Sequence, residues 1–235
     1  MMKIKAMLQS ALDVLLPRNC AVCGRPLDSD EPYVCRECMM KLPRTHLDKV
    51  DFNVMEQLFA GKTPIERATG FFYYEKGNNY ASILHDIKYH NMPKMGQWIA
   101  AVAATEIKES GFFDGIDCII PVPLHISKIA KRGYNQSDYI ARGISSVTGA
   151  PVSHAIIAEK PHATQTHKGM FERQQNTQGL YYPSRHAERE LAGKHVLIVD
   201  DVVTTGSTLL ACAESIADIE GVKISLMTLA VARLE

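Results

Sequence analysis

Val196-Leu197-Ile198-Val199 is an uninterrupted apolar run that ends on two acids, Asp200 and Asp201, followed by Val202-Val203-Thr204-Thr205-Gly206-Ser207-Thr208. An apolar run without polar alternation reads as a strand buried on both faces, the kind found in a parallel sheet covered by helices. Its carboxyl end, where such sheets open their ligand crevices, carries both carboxylates. Thr204, Thr205, Gly206, Ser207 and Thr208 then read as a turn entering a helix. Gly206 lets backbone come close to a ligand, and the hydroxyls, free N–H groups and positive dipole end of the helix suit a phosphate. The acids just upstream suit the vicinal hydroxyls of a sugar, or Mg²⁺ held directly or through water. A ribose 5-phosphate answers to both halves.

Other folds that use a strand and a tight turn fail on the letters. A Walker A loop requires a Gly-Lys-[Ser/Thr] ending, and no lysine is present here. A dinucleotide fingerprint requires three spaced glycines, and only Gly206 is available. A response-regulator receiver also opens with an apolar strand and two acids. It needs a later phospho-acceptor strand, whereas 34 residues follow Asp201 in a chain of 235. An ordinary capped strand–turn–helix explains each letter singly but not their coincidence.

The rest of the chain fits an α/β protein. Strands are expected over 68–74, 118–122, 152–158, 196–199 and 223–232, and helices over 80–89, 95–110, 135–147 and 207–219. Strand–helix alternation from residue 113 onward predicts a parallel-sheet core with helices on both faces. Three regions follow: 1–46 with a leading amphipathic helix and paired cysteines, 47–112 as an accessory hood, and 113–235 as the core. The polar stretch 160–179 has no clean period, and a loop of that length in a compact domain is typically a functional lid or disordered.

Cys20-Ala-Val-Cys23 and Cys35-Arg-Glu-Cys38 are separated by 11 residues. Each pair puts two thiolates on one side of a tight turn, and two such turns complete a tetrahedral S₄ site suited to structural Zn²⁺. Such a closed site leaves no position for catalysis. Cys118 and Cys212 stand alone in apolar segments and read as buried small hydrophobes. The nine histidines show no ligand spacing of the H-E-x-x-H kind, so solvated or packing roles are expected, including for His85 and His90. Trp98 and Phe71-Phe72-Tyr73-Tyr74 read as core.

Net charge is +0, so no bulk electrostatic case for nucleic acid exists, and any basic surface must be local. Ile119-Ile-Pro-Val-Pro-Leu-His125 reads as a strand turning into a loop. Lys128, Lys131 and Arg132 then place three cations ahead of a helix, a local basic cluster. No apolar stretch is long enough to span a membrane. Gln9, Ser10 and Asp13 interrupt the first apolar run, so no export signal is read and a cytoplasmic location is expected.

Residues 196–209 resemble the phosphoribosyl diphosphate (PRPP) loop of type I phosphoribosyltransferases. By that resemblance Asp200 and Asp201 contact the ribose hydroxyls, and Thr204 to Thr208 bind the 5′-phosphate. The 6-oxopurine enzymes carry an Asp where this chain has Thr204, which argues against a hypoxanthine–guanine activity. Pro121-Val-Pro-Leu124, Arg132-Gly-Tyr-Asn-Gln136 and the later Gln165, Arg173 and Asn176 are similar to the ComF family. That family is phosphoribosyltransferase-like, has a zinc-binding front end and is associated with competence and DNA uptake. Lys88 also matches a family lysine. Many members carry further cysteine pairs, and this chain has a single set of four.

The resemblance implies Mg²⁺–PRPP bound across the loops 200–208 and 121–132, with Lys128, Lys131 and Arg132 neutralising the diphosphate and its departing charge. It also implies Gln165 and Arg173 on a mobile loop that closes over the reacting centre. Asp200, Asp201 and Arg173 are the catalytic candidates. The implied reaction transfers phosphoribosyl to an unidentified acceptor with release of pyrophosphate. The alternative is a non-catalytic protein binding phosphoribosyl groups or single-stranded DNA in DNA uptake, with that DNA or the uptake machinery as partner. Glutamine-dependent amidotransfer is not expected, because the chain has no room for a glutaminase domain.

Overall fold

The computed structural model describes residues 18–75, 77–158 and 179–233. In chain order these form α1 (Arg36–Met40), a 3₁₀ turn (Leu47–Lys49), α2 (Val54–Gln57), β1 (Arg67–Tyr74), α3 (Ala81–Tyr89) and α4 (Pro93–Lys108). They continue with β2 (Cys118–Pro121), α5 (Ile126–Arg132), α6 (Gln136–Thr148), β3 (Ile156–Ala158), β4 (Tyr181–Pro183), α7 (Ala187–Leu191), β5 (His195–Val203), α8 (Ser207–Glu214) and β6 (Lys223–Ala232). The leading helix expected over the first residues lies outside the described part.

The core is a four-stranded sheet in the order β1-β6-β5-β2, parallel throughout. This is the α/β architecture the alternation predicts. β5 and β6 sit in the middle, which explains their continuous apolar character. Val196, Leu197, Ile198 and Val199 are all fully buried. Leu197 and Val199 face one core, with Ile119, Met227 and residues of α3, α4 and α6. Val196 and Ile198 face the other, with Cys118, Ile120 and the α8 residues Leu209, Cys212 and Ala213. Burying each such side chain contributes about 1.5–3 kcal/mol, so both faces of β5 drive sheet formation.

Two expectations change in detail. The strand expected over 152–158 divides. Val152 makes one parallel bridge to Ile119 at the sheet edge, whereas Ile156–Ala158 pairs antiparallel with β4 in a separate ribbon. The helix expected to run to residue 219 ends at Glu214. Within the segment read as a hood, β1 pairs along the edge of the main sheet with β6, and α4 packs on α6.

That helix contact is close because Gly143 of α6 faces α4. A Cβ there would stand 2.2 Å from the Gln97 carbonyl and 2.8 Å from the Ala100 Cβ. The buried Ala100, Ala103 and Ala104 of α4 and Ala141 of α6 keep the same seam narrow.

The cysteine module is part of this body. Cys20, Val34, Cys35, Cys38 and Leu42 belong to the same apolar cluster as α3 and α4. Tyr33 stacks obliquely on Trp98 with centroids 5.9 Å apart, and the Tyr80 hydroxyl donates to the Cys38 carbonyl at 3.1 Å. Phe71 and Phe72 are buried as expected, while Trp98, Tyr73 and Tyr74 are partly buried.

Candidate functional site

The carboxyl end of β5 delivers Asp200 and Asp201 beneath the start of α6. The Ser137 hydroxyl donates to Asp200 Oδ1 at 2.9 Å, and the Asp201 N–H donates to the same oxygen at 2.9 Å. Lys88, reaching in from α3, places Nζ 3.0 Å from Asp201 Oδ1. The sequence reading has both acids presented to a ligand. In the structure they are only 8% and 3% exposed, because α6 and Lys88 cover the strand end. Asp200 is turned toward α6, in a positioning geometry. Asp201 Oδ2 is buried with no hydrogen-bond partner among the described residues. An orphaned carboxylate oxygen of this kind is the acceptor that a ribose hydroxyl or a hydrated Mg²⁺ would satisfy, so the residues fit that group.

Two carboxylates side by side in a dry site cannot both be charged cheaply. Burial, and then the neighbouring Asp201 charge, push the Asp200 carboxyl up to about 7, against N–H and hydroxyl donation that favour its ionised form.

The turn beyond β5 has the form expected. Thr204 and Thr205 are exposed, and the Thr205 and Ser207 hydroxyls lie 2.8 Å apart. Gly206 is left-handed at φ 77° and starts α8, whose first turn receives no side-chain cap among the described residues. The N–H groups there remain available for an anion. A Cβ on Gly206 would also sit 3.1 Å from the Phe59 ring, so the residues after α2 brace the turn from below.

Lys128, Lys131 and Arg132 do converge, together with Lys88. With Tyr89, Asn91 and Tyr134 they line a cavity of about 400 Å³. The sequence places Lys128, Lys131 and Arg132 all on a loop ahead of a helix. They lie instead on α5, a short helix with no buried residue. Lys131 and Arg132 fall in its last turn, where they complement the helix dipole.

The Arg-Gly-Tyr-Asn-Gln motif has a structural account. Arg132 bonds Gln136 and lies 5.6 Å over the Tyr89 ring. Gly133 ends α5, and the Tyr134 hydroxyl donates to the Ile87 carbonyl. Asn135 caps α6 by accepting the Ser137 N–H, while its amide donates to the Val122 carbonyl at 3.0 Å. The motif therefore locks α5, α6, α3 and the end of β2 into one arrangement around the cavity. Ser137 was not legible as a site residue, since a serine in a helix's first turn reads as capping. Gln165, Arg173, His162, His167 and Asn176 lie outside the described residues.

At the other end, the four cysteine sulfurs lie within 4.8 Å of one another. Cys23 and Cys35 Sγ are 3.8 Å apart. Thiolates at ~2.3 Å from a tetrahedral ion stand about 3.8 Å apart, so the donor set fits such an ion. Cys20 Sγ accepts N–H bonds from Val22 and Cys35, and Cys35 Sγ accepts one from Cys38. Burial opposes the Cys20 thiolate, but peptide N–H groups outweigh it and draw its pKa down to about 7. Glu31 ties the two turns together: it accepts the N–H groups of Asp28 and Arg36 and pairs with Arg25 at 2.7 Å. By contrast, burial pushes Cys118 up to about 11 and raises Cys212 as well, which leaves both as inert core thiols.

The parallel sheet, with an acidic strand end and a helix entrance beside it, is the architecture of a phosphoribosyltransferase-like fold. A family model for the phosphoribosyl transferase domain matches residues 88–234, and the chain belongs to that family. Its relatives point to the ComF group within it. The chain is 26% identical over 199 residues to DNA utilization protein YhgH of Shigella flexneri, covering 83% of this chain and 82% of that protein. It is 36% identical over 95 residues to Competence protein F of Haemophilus influenzae, covering 40% and 41% of the two chains. Among solved structures, adenine phosphoribosyltransferase from Leishmania tarentolae aligns over 81% of this chain and 94% of its own, at 12% identity and a TM-score of 0.37. No helix among the described residues is long and apolar enough to cross a membrane.

Proposed function

We propose that the chain binds Mg²⁺–PRPP and transfers its phosphoribosyl group, in a role connected with the use of incoming DNA. The observation that carries this is the position of Lys88, which lines the basic cavity and also pairs with Asp201 at 3.0 Å. One side chain thereby joins a diphosphate-sized cationic cavity to the ribose-binding acids, with the Thr204–Thr208 turn beyond them for the 5′-phosphate.

In this reading the acceptor's lone pair forms a bond to the anomeric carbon. The bond from that carbon to the diphosphate oxygen breaks, its electron pair leaves with pyrophosphate, and the acceptor gives up a proton. Lys88, Lys128, Lys131 and Arg132 stabilise the departing charge. Asp200 and Asp201 hold the sugar, and positioning supplies most of the protein's share. Mg²⁺, when bound with PRPP, neutralises diphosphate charge. The four cysteines hold structural Zn²⁺, the metal this donor set and spacing suit best.

Calorimetric titration of the zinc-loaded protein with Mg²⁺–PRPP tests the binding step, and pyrophosphate release over a panel of bases and amines tests transfer. Binding that disappears in Asp201→Asn is expected. Undiminished PRPP affinity in Asp200→Asn/Asp201→Asn would sink the assignment. A second reading, a single-stranded DNA binding protein, draws on the solvent-exposed basic helix α5 and on the names of the relatives. It requires affinity that falls steeply with salt and depends on Lys128, Lys131 and Arg132.

A further inference from the structure

The carboxyl-terminal end of α3 gathers a second set of ligating side chains, unrelated to the four cysteines. His85, Asp86 and His90 bring two imidazole nitrogens and a carboxylate oxygen within 4.8 Å of one another. Asp86 Oδ1 lies 2.7 Å from His90 Nδ1 and 3.9 Å from His85 Nδ1. The two imidazoles meet edge to face with centroids 4.7 Å apart. Nitrogen and oxygen donors at ~2.1 Å from an ion stand about 3.0 Å apart at octahedral corners and about 3.4 Å at tetrahedral ones. The observed separations bracket those values.

The spacing gives no hint of this, because residues five apart on a regular helix point about 140° away from each other. The cluster exists because α3 stops at Tyr89. His90 turns off the helix at φ −103°, ψ 20°, and its ring folds back onto Asp86. Asp86 has no lysine or arginine partner among the described residues, so its charge is free to be met by a cation. It is half-buried, whereas both histidines are exposed, which makes the carboxylate the anchored member and leaves one side of the cluster open to solvent.

We propose that His85, Asp86 and His90 bind an exchangeable divalent transition-metal ion. Two imidazoles and one carboxylate are a recurrent donor set for first-row divalent ions, and three protein ligands leave the remaining positions to water or an incoming oxygen ligand. The ion fastens His90 to the last turn of α3, the helix that carries Lys88. Tyr89 stands between the two sites, 5.0 Å from the His85 ring on one side and lining the basic cavity on the other.

Titration with Co²⁺ of protein whose cysteine site already holds zinc provides the test. One further equivalent is expected to bind, with weak visible bands and without the intense near-ultraviolet absorption of cobalt bound to thiolate. His85→Ala and His90→Ala, both at exposed positions, are expected to fold as the parent does and to lower Co²⁺ affinity at least tenfold. Thermal unfolding gives an independent readout: Co²⁺ raises the midpoint of the parent and leaves that of His85→Ala unchanged. The proposal is overturned if no second equivalent binds, if binding is undiminished in both variants, or if the absorption is that of a thiolate site.

Discussion

Asp200 is the residue at which burial and function pull against each other. Its carboxyl is raised from 3.8 to about 7, by burial first and the Asp201 charge second. Between those two values the folded state holds a proton that the unfolded chain has released. Stability from this group is therefore complete below pH 3.8 and is lost as pH rises through about 7. Asp200→Asn keeps an oxygen for the Ser137 hydroxyl and the Asp201 N–H while removing the charge. It is expected to be more stable than the parent at pH 8 by roughly 1–3 kcal/mol and nearly equal to it at pH 4, as read from urea unfolding. An equal difference at both pH values would contradict the burial argument. Lys88 is the complementary case. Lys88→Ala leaves Asp201 buried without its cation and should cost roughly 2–3 kcal/mol, much of it recovered in Lys88→Ala/Asp201→Asn. Additive losses in that double-mutant cycle would show that the pair is not coupled.

At the scale of elements, α5 and the α4–α6 seam behave in opposite ways. α5 buries nothing, so replacing the exposed Lys128 and Lys131 by alanine should leave the unfolding midpoint nearly unchanged, whereas Arg132, which bonds Gln136 and lies over Tyr89, is left in place. The same variant should lose at least tenfold in pyrophosphate affinity, measured by calorimetry at fixed ionic strength. The seam tolerates no addition. Gly143→Ala must push a methyl into the Gln97 carbonyl and should cost about 2–3 kcal/mol, whereas the exposed Arg142→Ala serves as a near-neutral control. Element boundaries were legible where hydrophobic periodicity and caps agreed, as at β6, which runs from Lys223 to Ala232 as its pattern predicts. They were less legible at 152–158, where short apolar runs do not say which strand they will join.

For the molecule as a whole, the cysteine module and the sheet share one apolar core, since Cys20, Cys35 and Cys38 cluster with the α3 and α4 side chains. Metal removal should therefore do more than loosen a front appendage. Chelation, or Cys38→Ser, is expected to lower the midpoint of the single global unfolding transition. A separate low-temperature transition with the main one unmoved would mean that the module folds independently.

The letters of 196–208 alone pointed to a strand buried on both faces, the acids at its carboxyl end and the helix entrance beyond, because buried strands, carboxylates and phosphate turns each have narrow composition requirements. The paired cysteines likewise announced their own site. Only the tertiary structure decided that Lys88 reaches Asp201, that Ser137 holds Asp200, that the acids lie covered, and that His90 folds back on Asp86. Local pattern records which side chains an element carries. Which of them meet depends on how helices from distant parts of the chain cross the end of a strand, and that is set by packing.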